Sequence, residues 1–250
     1  MNTLDFHLDG LKPADESPGY AYNHPWENDF QLISRHDVGE RSFIIAFDKT
    51  ATWDYPNKAN IVSFDIDRDS SRGLFSMHRE QHATFVFAQN WLINRSCPPN
   101  ALAPVFEIPR PADELSLRVE DRIRRSGESL EVADYRVIDS SDTEGWSIAV
   151  DSQAKELPVR LFLETLQPDQ FTYTVREGAF ADHSAADYWL EHRSAPLPEP
   201  PEYRRDADAL RTSAALARST TVPAVTAAGV LAAASAATAA LSQPDRGQSL

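Results

Sequence analysis

Trp91-Leu92-Ile93-Asn94-Arg95-Ser96-Cys97-Pro98 and Trp189-Leu190-Glu191-His192-Arg193-Ser194-Ala195-Pro196 share the pattern W-L-x-x-R-S-x-P at an offset of 98 residues. The chain has only five tryptophans in 250 residues, so two placements in one pattern point to an internal repeat. At the same offset Thr84 falls on Asp182 and Ala88 on Ala186. Thr and Asp are both good helix N-caps, because a side-chain oxygen accepts a free N–H of the first turn. The spacing predicts helices near Phe85–Arg95 and His183–Arg193, each ending before a proline, Pro98 or Pro196. Trp91 and Trp189 then read as core anchors. Arg95 and Arg193 sit in the last turn, where a cation opposes the helix dipole.

Upstream of each helix the apolar residues change period. Phe30-Gln31-Leu32-Ile33 parallels Tyr135-Arg136-Val137-Ile138, and the run from Ser42 to Asp48 parallels that from Gly145 to Asp151. Each pair reads as a hairpin around a polar turn, Arg35 to Arg41 or Ser140 to Gly145. A third strand is expected at Ile61–Ile66 and Val159–Glu164, and a fourth at Leu74–His78 and Phe171–Arg176. Just upstream of the helices, Arg79-Glu80 matches Arg176-Glu177 after a one-residue gap. Each unit is thus an antiparallel four-stranded meander closed by a helix, ββββα twice, in an α+β protein. A connecting helix is expected within Pro111–Gly127, carried by Leu115, Leu117, Val119 and Ile123.

This order of elements resembles the pseudo-symmetric halves of TATA-box-binding proteins, and also small α/β secretion-chaperone-like domains. The resemblance is one of topology alone. The expected organisation is an N-terminal extension over 1–29, a first repeat over 30–110, a connecting helix and second repeat over 111–199, and a tail over 200–250. Aromatic Tyr20, Tyr22 and Trp26 suggest that the extension packs against something.

Charge bears on partners. The net charge is −14, while the tail from Glu202 onward carries five arginines and four acidic residues. The acidity therefore belongs to the body. Affinity for phosphate backbones comes mainly from Lys and Arg, so nucleic acid is disfavoured as a partner. A solvated acidic surface is the plain reading. The single cysteine, Cys97, excludes an internal disulfide, and the first residues lack the pattern of a signal peptide, so the expected location is the cytoplasm.

Candidate chemistry is sparse. His78-Arg79-Glu80-Gln81-His82 invites comparison with H-E-x-x-H, but the glutamate is one place late and His82 precedes the expected helix. His78 and His82 are the weak metal and catalytic candidates, with Asp65 and Asp67 beside them. Asp65, Asp67 and Asp69 mimic the start of a calcium loop, yet Ser70 and Ser76 stand where glycine and glutamate are needed; a polar strand face accounts for them. Asp48 and Asp151 occupy equivalent strand ends, where Asp commonly opens a turn. Cys97 has no evident histidine partner. Arg118, Arg122, Arg124 and Arg125 cluster on the connecting helix among Glu114, Glu120 and Asp121, so intrahelical pairing is expected. No cofactor is implied: there is no glycine-rich phosphate loop and no C-x-x-C pair.

The tail opens with Pro196-Leu197-Pro198-Glu199-Pro200-Pro201, read as a stiff extended spacer. Ser219 to Pro244 is free of charge, and ten of the twenty residues Val222–Leu241 are alanine. Alanine is nearly neutral for membrane insertion, so an anchor is not favoured over a low-complexity tail or a docking segment. These features together predict a non-enzymatic adaptor, chaperone-like or assembly protein. It would engage a protein partner or a second copy of itself through its sheet surfaces or residues 202–250. The alternative is a metal-dependent hydrolase with a site near His78 and His82 between the lobes.

Overall fold

The computed structural model describes residues 4–14, 27–50, 59–138, 142–203 and 211. The chain divides into two compact units, Met1–Pro201 and Glu202–Leu250. The first unit holds nearly all of the described residues; the alanine-rich segment, Tyr20, Tyr22 and Trp26 lie outside them.

Among its described residues the first unit has ten strands and three α-helices. The strands are β1 (Lys12–Pro13), β2 (Phe30–Val38), β3 (Arg41–Asp48), β4 (Ile61–Asp69), β5 (Leu74–His82), β6 (Arg110–Pro111), β7 (Leu130–Arg136), β8 (Glu144–Asp151), β9 (Val159–Gln167) and β10 (Thr172–Phe180). The helices are α1 (Phe85–Asn94), α2 (Glu114–Arg124) and α3 (His183–His192). They build an α+β fold with two separate five-stranded mixed sheets, ordered β1-β5-β4-β3-β2 and β6-β10-β9-β8-β7. Four strands of each sheet are antiparallel, and the two-residue strands β1 and β6 add in parallel at one edge. Among the described residues no helix is long and apolar enough to cross a membrane.

The central strands of the first sheet are buried on both faces, which explains the unbroken apolar run Phe43-Ile44-Ile45-Ala46-Phe47. Phe43, Ile45 and Phe47 face α1 through Ala88, Leu92 and Trp91. Ile44, Ala46, Val62, Phe64 and Ile66 face the other way, against Leu4 and Phe6. Phe64 stands edge-to-face with Phe6 at 4.9 Å and with Phe30 at 5.2 Å. The second sheet is likewise covered on both faces. Leu115, Val119 and Ile123 of α2, with Val86 and Phe87 of α1, cover one. Ala186, Trp189 and Leu190 of α3, with Leu197, cover the other. Helix α1 is therefore wedged between the sheets, serving one with Ala88 and Leu92 and the other with Val86 and Phe87.

Several expectations need correction. The strand expected at Tyr135–Ile138 is β7, Leu130–Arg136. Its pairing shifts between Val132 and Asp134, so a bulge breaks the alternation that would have revealed it. Asp182 caps α3 by accepting the Ala185 N–H at 2.8 Å, but Thr84 makes no capping bond and its hydroxyl is buried without a partner among the described residues. Helix α1 is held by burial instead: Val86, Phe87, Ala88 and Leu92 are all in the core. Strands β1 and β6 are each two residues long, too short to leave a periodic signal in the sequence.

The proline-rich segment is not a free spacer from its start. Leu197 packs under β10 so closely that a Cβ on Gly178 would meet its Cδ1 at 2.5 Å, and the Pro198 carbonyl accepts the Ala179 N–H at 2.9 Å. Beyond the short β6, Ser116 Oγ accepts the Val175 N–H at 2.9 Å. Together these bonds satisfy the edge of β10 where β6 leaves it open.

Candidate functional site

A cavity of about 480 Å³ lies between the two sheets within this unit. Its walls come from both halves: Ile33, Phe47 and Ile61 of the first sheet, Val86 and Phe87 of α1, and Phe162, Leu166 and Val175 of the second. Phe106, Ile108 and Pro109 of the connecting segment complete it. The close approach of residues 136–138 to β8 supplies a further wall and demands glycine at Gly145, where a Cβ would meet the Arg136 carbonyl oxygen at 2.9 Å.

Into this mostly apolar space projects a small acidic group. Residues of β9 alternate, so Arg160, Phe162, Glu164 and Leu166 share the face turned to α2. Glu164 lines the cavity beside Glu120 of α2 and Tyr173 of β10. The Tyr173 hydroxyl donates to Glu120 Oε1, and Arg124 Nη2 lies 3.7 Å from Glu120 Oε2. Burial raises the Glu120 pKa, opposed by these two partners. Burial, then the neighbouring charge of Glu120, pushes Glu164 up to about 7. No hydrogen bond or ion pair reaches the Glu164 carboxyl from the described residues. The buried hydroxyl of Thr84, a lining residue, is likewise unpartnered among them.

Farther along the same face the charges pair with one another. Arg160 and Glu177, both 0% exposed at the side chain, form a network with Asp151 and Arg122. Arg160 lies 3.6 Å from Asp151 and 3.7 Å from Glu177; Arg122 bonds Asp151 at 2.7 Å and also contacts Glu177. The arginine cluster of α2 thus divides. Arg124 pairs within the helix with Glu120 and Asp121, as expected, whereas Arg122 reaches across to the sheet.

The residues singled out in the sequence lie elsewhere. His78 and His82 are both on β5, four positions apart, hence about 13 Å along an extended strand. His78 is exposed. His82 is buried edge-on to Trp91 at 5.9 Å, and burial followed by the charge of Arg95 lowers its pKa to about 4, so it is neutral at pH 7. Asp65, expected on a polar face, is buried and holds Arg41 Nε at 2.8 Å and Nη2 at 2.9 Å. Asp67 is exposed, and Asp69 accepts bonds from Ser71 and Arg72 in the following turn. No group of three or more His, Cys, Asp or Glu among the described residues is placed to hold a metal ion.

Asp48 and Asp151 each accept the N–H two residues on, from Thr50 and Gln153, which is the turn-opening role. Cys97 is buried among Ile45, Ala88 and Leu92, and burial pushes its thiol up to about 11. Both repeated tryptophans are partly buried under an arginine: Arg95 lies 3.6 Å above Trp91 and Arg193 5.3 Å above Trp189. The W-x-x-x-R spacing is one helical turn, which brings the cation over the ring.

Sequence reasoning missed Glu164, Glu120 and Tyr173. A signal existed: Glu164 shares its strand face with Phe162 and Leu166, so its register placed a carboxylate among inward-facing apolar residues. Comparison of the chain with known protein families, with curated proteins and with solved structures finds no match.

Proposed function

We propose that the chain is a non-enzymatic binding protein built from two tandem copies of one α/β unit, with the inter-sheet cavity as its binding site. The cavity carries the reading. It is apolar, of a size that takes a small organic molecule or a side-chain cluster of a partner, and it holds a carboxyl group with no partner among the described residues. A packed apolar cluster already sits on each of the four sheet faces, so a docking partner would meet the cavity rather than a bare sheet.

What supports the repeat is the agreement of elements beyond the tryptophan pattern. Strands β1 and β6, β4 and β9, β5 and β10, and helices α1 and α3 all begin 98 residues apart. That constant offset removes the gap inserted between Arg79-Glu80 and Arg176-Glu177. Strands β2 and β7 carry a register shift at the same place, Leu32/Ser34 and Val132/Asp134.

Acid–base or metal-assisted hydrolysis has less behind it: His78 and His82 are apart, and one is buried and uncharged at neutral pH. In the same reading the protein acts in the cytoplasm, and residues 202–250 add a contact to a protein partner or a second copy. Ligand-observed NMR with a panel of small apolar fragments tests the cavity. Millimolar or tighter binding that Ser147→Phe abolishes in a folded variant is the expected result. No binder in the panel, or binding indifferent to that substitution, would overturn it.

A further inference from the structure

The charged groups around the cavity are not equally engaged. Glu120 of α2 is held by Tyr173 and Arg124, and Arg136 of β7 bonds Asp142 at 2.7 Å. Arg124 is further tied to Gln89 Oε1 at 3.0 Å and to Asp121. Glu164 alone among these lining charges receives no such partner from the described residues. A carboxylate in apolar surroundings is costly unless a cation or hydrogen-bond donors compensate it. Nothing in the fold requires an acid there: Ile66 takes the same place on β4 and packs in the core.

Resting on the binding reading above, we infer that the cavity takes an apolar organic cation, an alkyl or aryl-alkyl amine, whose ammonium group meets the Glu164 carboxylate. Its hydrocarbon body lies against Phe162, Val175 and Ile123. Two aromatic residues, Phe162 and Tyr173, line the cavity, and an aromatic wall suits a cation better than a neutral or anionic molecule. An anion would instead meet Glu164 and Glu120 together. Glu120 of α2, Tyr173 of β10 and Arg136 of β7 line the cavity with Glu164, and Arg124 of α2 stands behind Glu120 as its ion-pair partner. Because free Glu164 titrates near 7, the ammonium ligand displaces its proton at lower pH. Affinity for the amine therefore rises from pH 5.5 to 8.

Isothermal titration of the full chain with n-hexylamine, 1-hexanol and hexanoate tests this. At pH 8 hexylamine should bind at least tenfold more tightly than hexanol, with hexanoate weakest, and hexanol should displace it. Lowering the pH to 5.5 should weaken hexylamine by about tenfold or more and leave hexanol unchanged. Glu164→Gln should bring amine and alcohol within about twofold while retaining hexanol affinity. Equal binding of amine and alcohol by the native protein overturns the cation inference and leaves the cavity reading standing. Binding of none of the three overturns both. Amine binding that hexanol does not displace places the cation on the acidic exterior and also overturns the inference.

Discussion

The two sheets solve the same packing problem with different materials. On the first, Ile44, Ala46, Val62, Phe64 and Ile66 are sealed by Leu4, Phe6 and Phe30, a wholly apolar contact in which three phenylalanine rings meet edge to face. On the second, α2 lies over a face that runs from the Arg122–Asp151–Arg160–Glu177 network, through Ala149, Phe162 and Val175, to the cavity at Glu164. Where the first sheet has Val62, the second has fully buried Arg160; where the first has Ile66, the second has Glu164. Apolar packing would be the more stable choice in both places, since buried charge rarely gains over a well-fitted hydrocarbon. The first sheet therefore reads as scaffold. The second gives up stability along one face, as binding sites commonly do.

The largest effect should come from breaking the ion network. Arg160→Leu leaves Asp151 and Glu177 short of a cation inside the protein, and should cost about 3–5 kcal/mol in urea unfolding. Phe64→Leu in the apolar seal, which removes volume but strands no charge, should cost clearly less. A smaller loss for Arg160→Leu than for Phe64→Leu would erase the contrast between the sheets.

Two titrations should pull stability in opposite directions. His82 has a folded pKa near 4 against an ordinary 6.5, so the unfolded chain takes up the proton first. Stability then falls as pH drops from about 6.5 toward 4, by roughly 3 kcal/mol, and His82→Leu should flatten that slope. Glu164 has a folded pKa near 7 against 4.5, so the unfolded chain loses its proton first as pH rises. Its contribution is lost between about 4.5 and 7, and Glu164→Gln should recover up to roughly 3 kcal/mol at pH 8 and little at pH 4. Paired unfolding curves at pH 4, 6 and 8 separate the two. A Glu164→Gln protein less stable than the native one at pH 8 would show that the carboxylate has a structural partner.

The smallest expected difference lies at the helix starts. Asp182→Ala removes a capping bond and should cost about 1 kcal/mol. Thr84→Val removes a hydroxyl that caps nothing, and thermal unfolding should detect no loss. Equal losses would mean that both caps act in solution.

Much of the architecture was legible where the pattern is local. The tryptophan motif located α1 and α3, alternation located β10, and short apolar runs located β4, β5 and β9, because all these signals span only a few residues. Strand β7 starts earlier than its apolar pattern implies because its bulge disrupts period two, and β1 and β6 are too short to carry a period. The site was harder to find. His78 and His82 look like a pair in sequence, yet strand geometry separates them, while Glu120, Glu164 and Tyr173 are 53 residues apart at the extremes and meet through tertiary packing. Only the register of β9 hinted that Glu164 faces inward.

The central claim is that the space between the sheets is a binding site, and intermolecular NOEs from bound 1-hexanol in methyl-labelled protein test it most directly. The account predicts contacts to the methyl groups of Ile123 and Val175, which line the cavity. Contacts confined to exposed methyls such as those of Val38 and Leu117, or none at all, would contradict it.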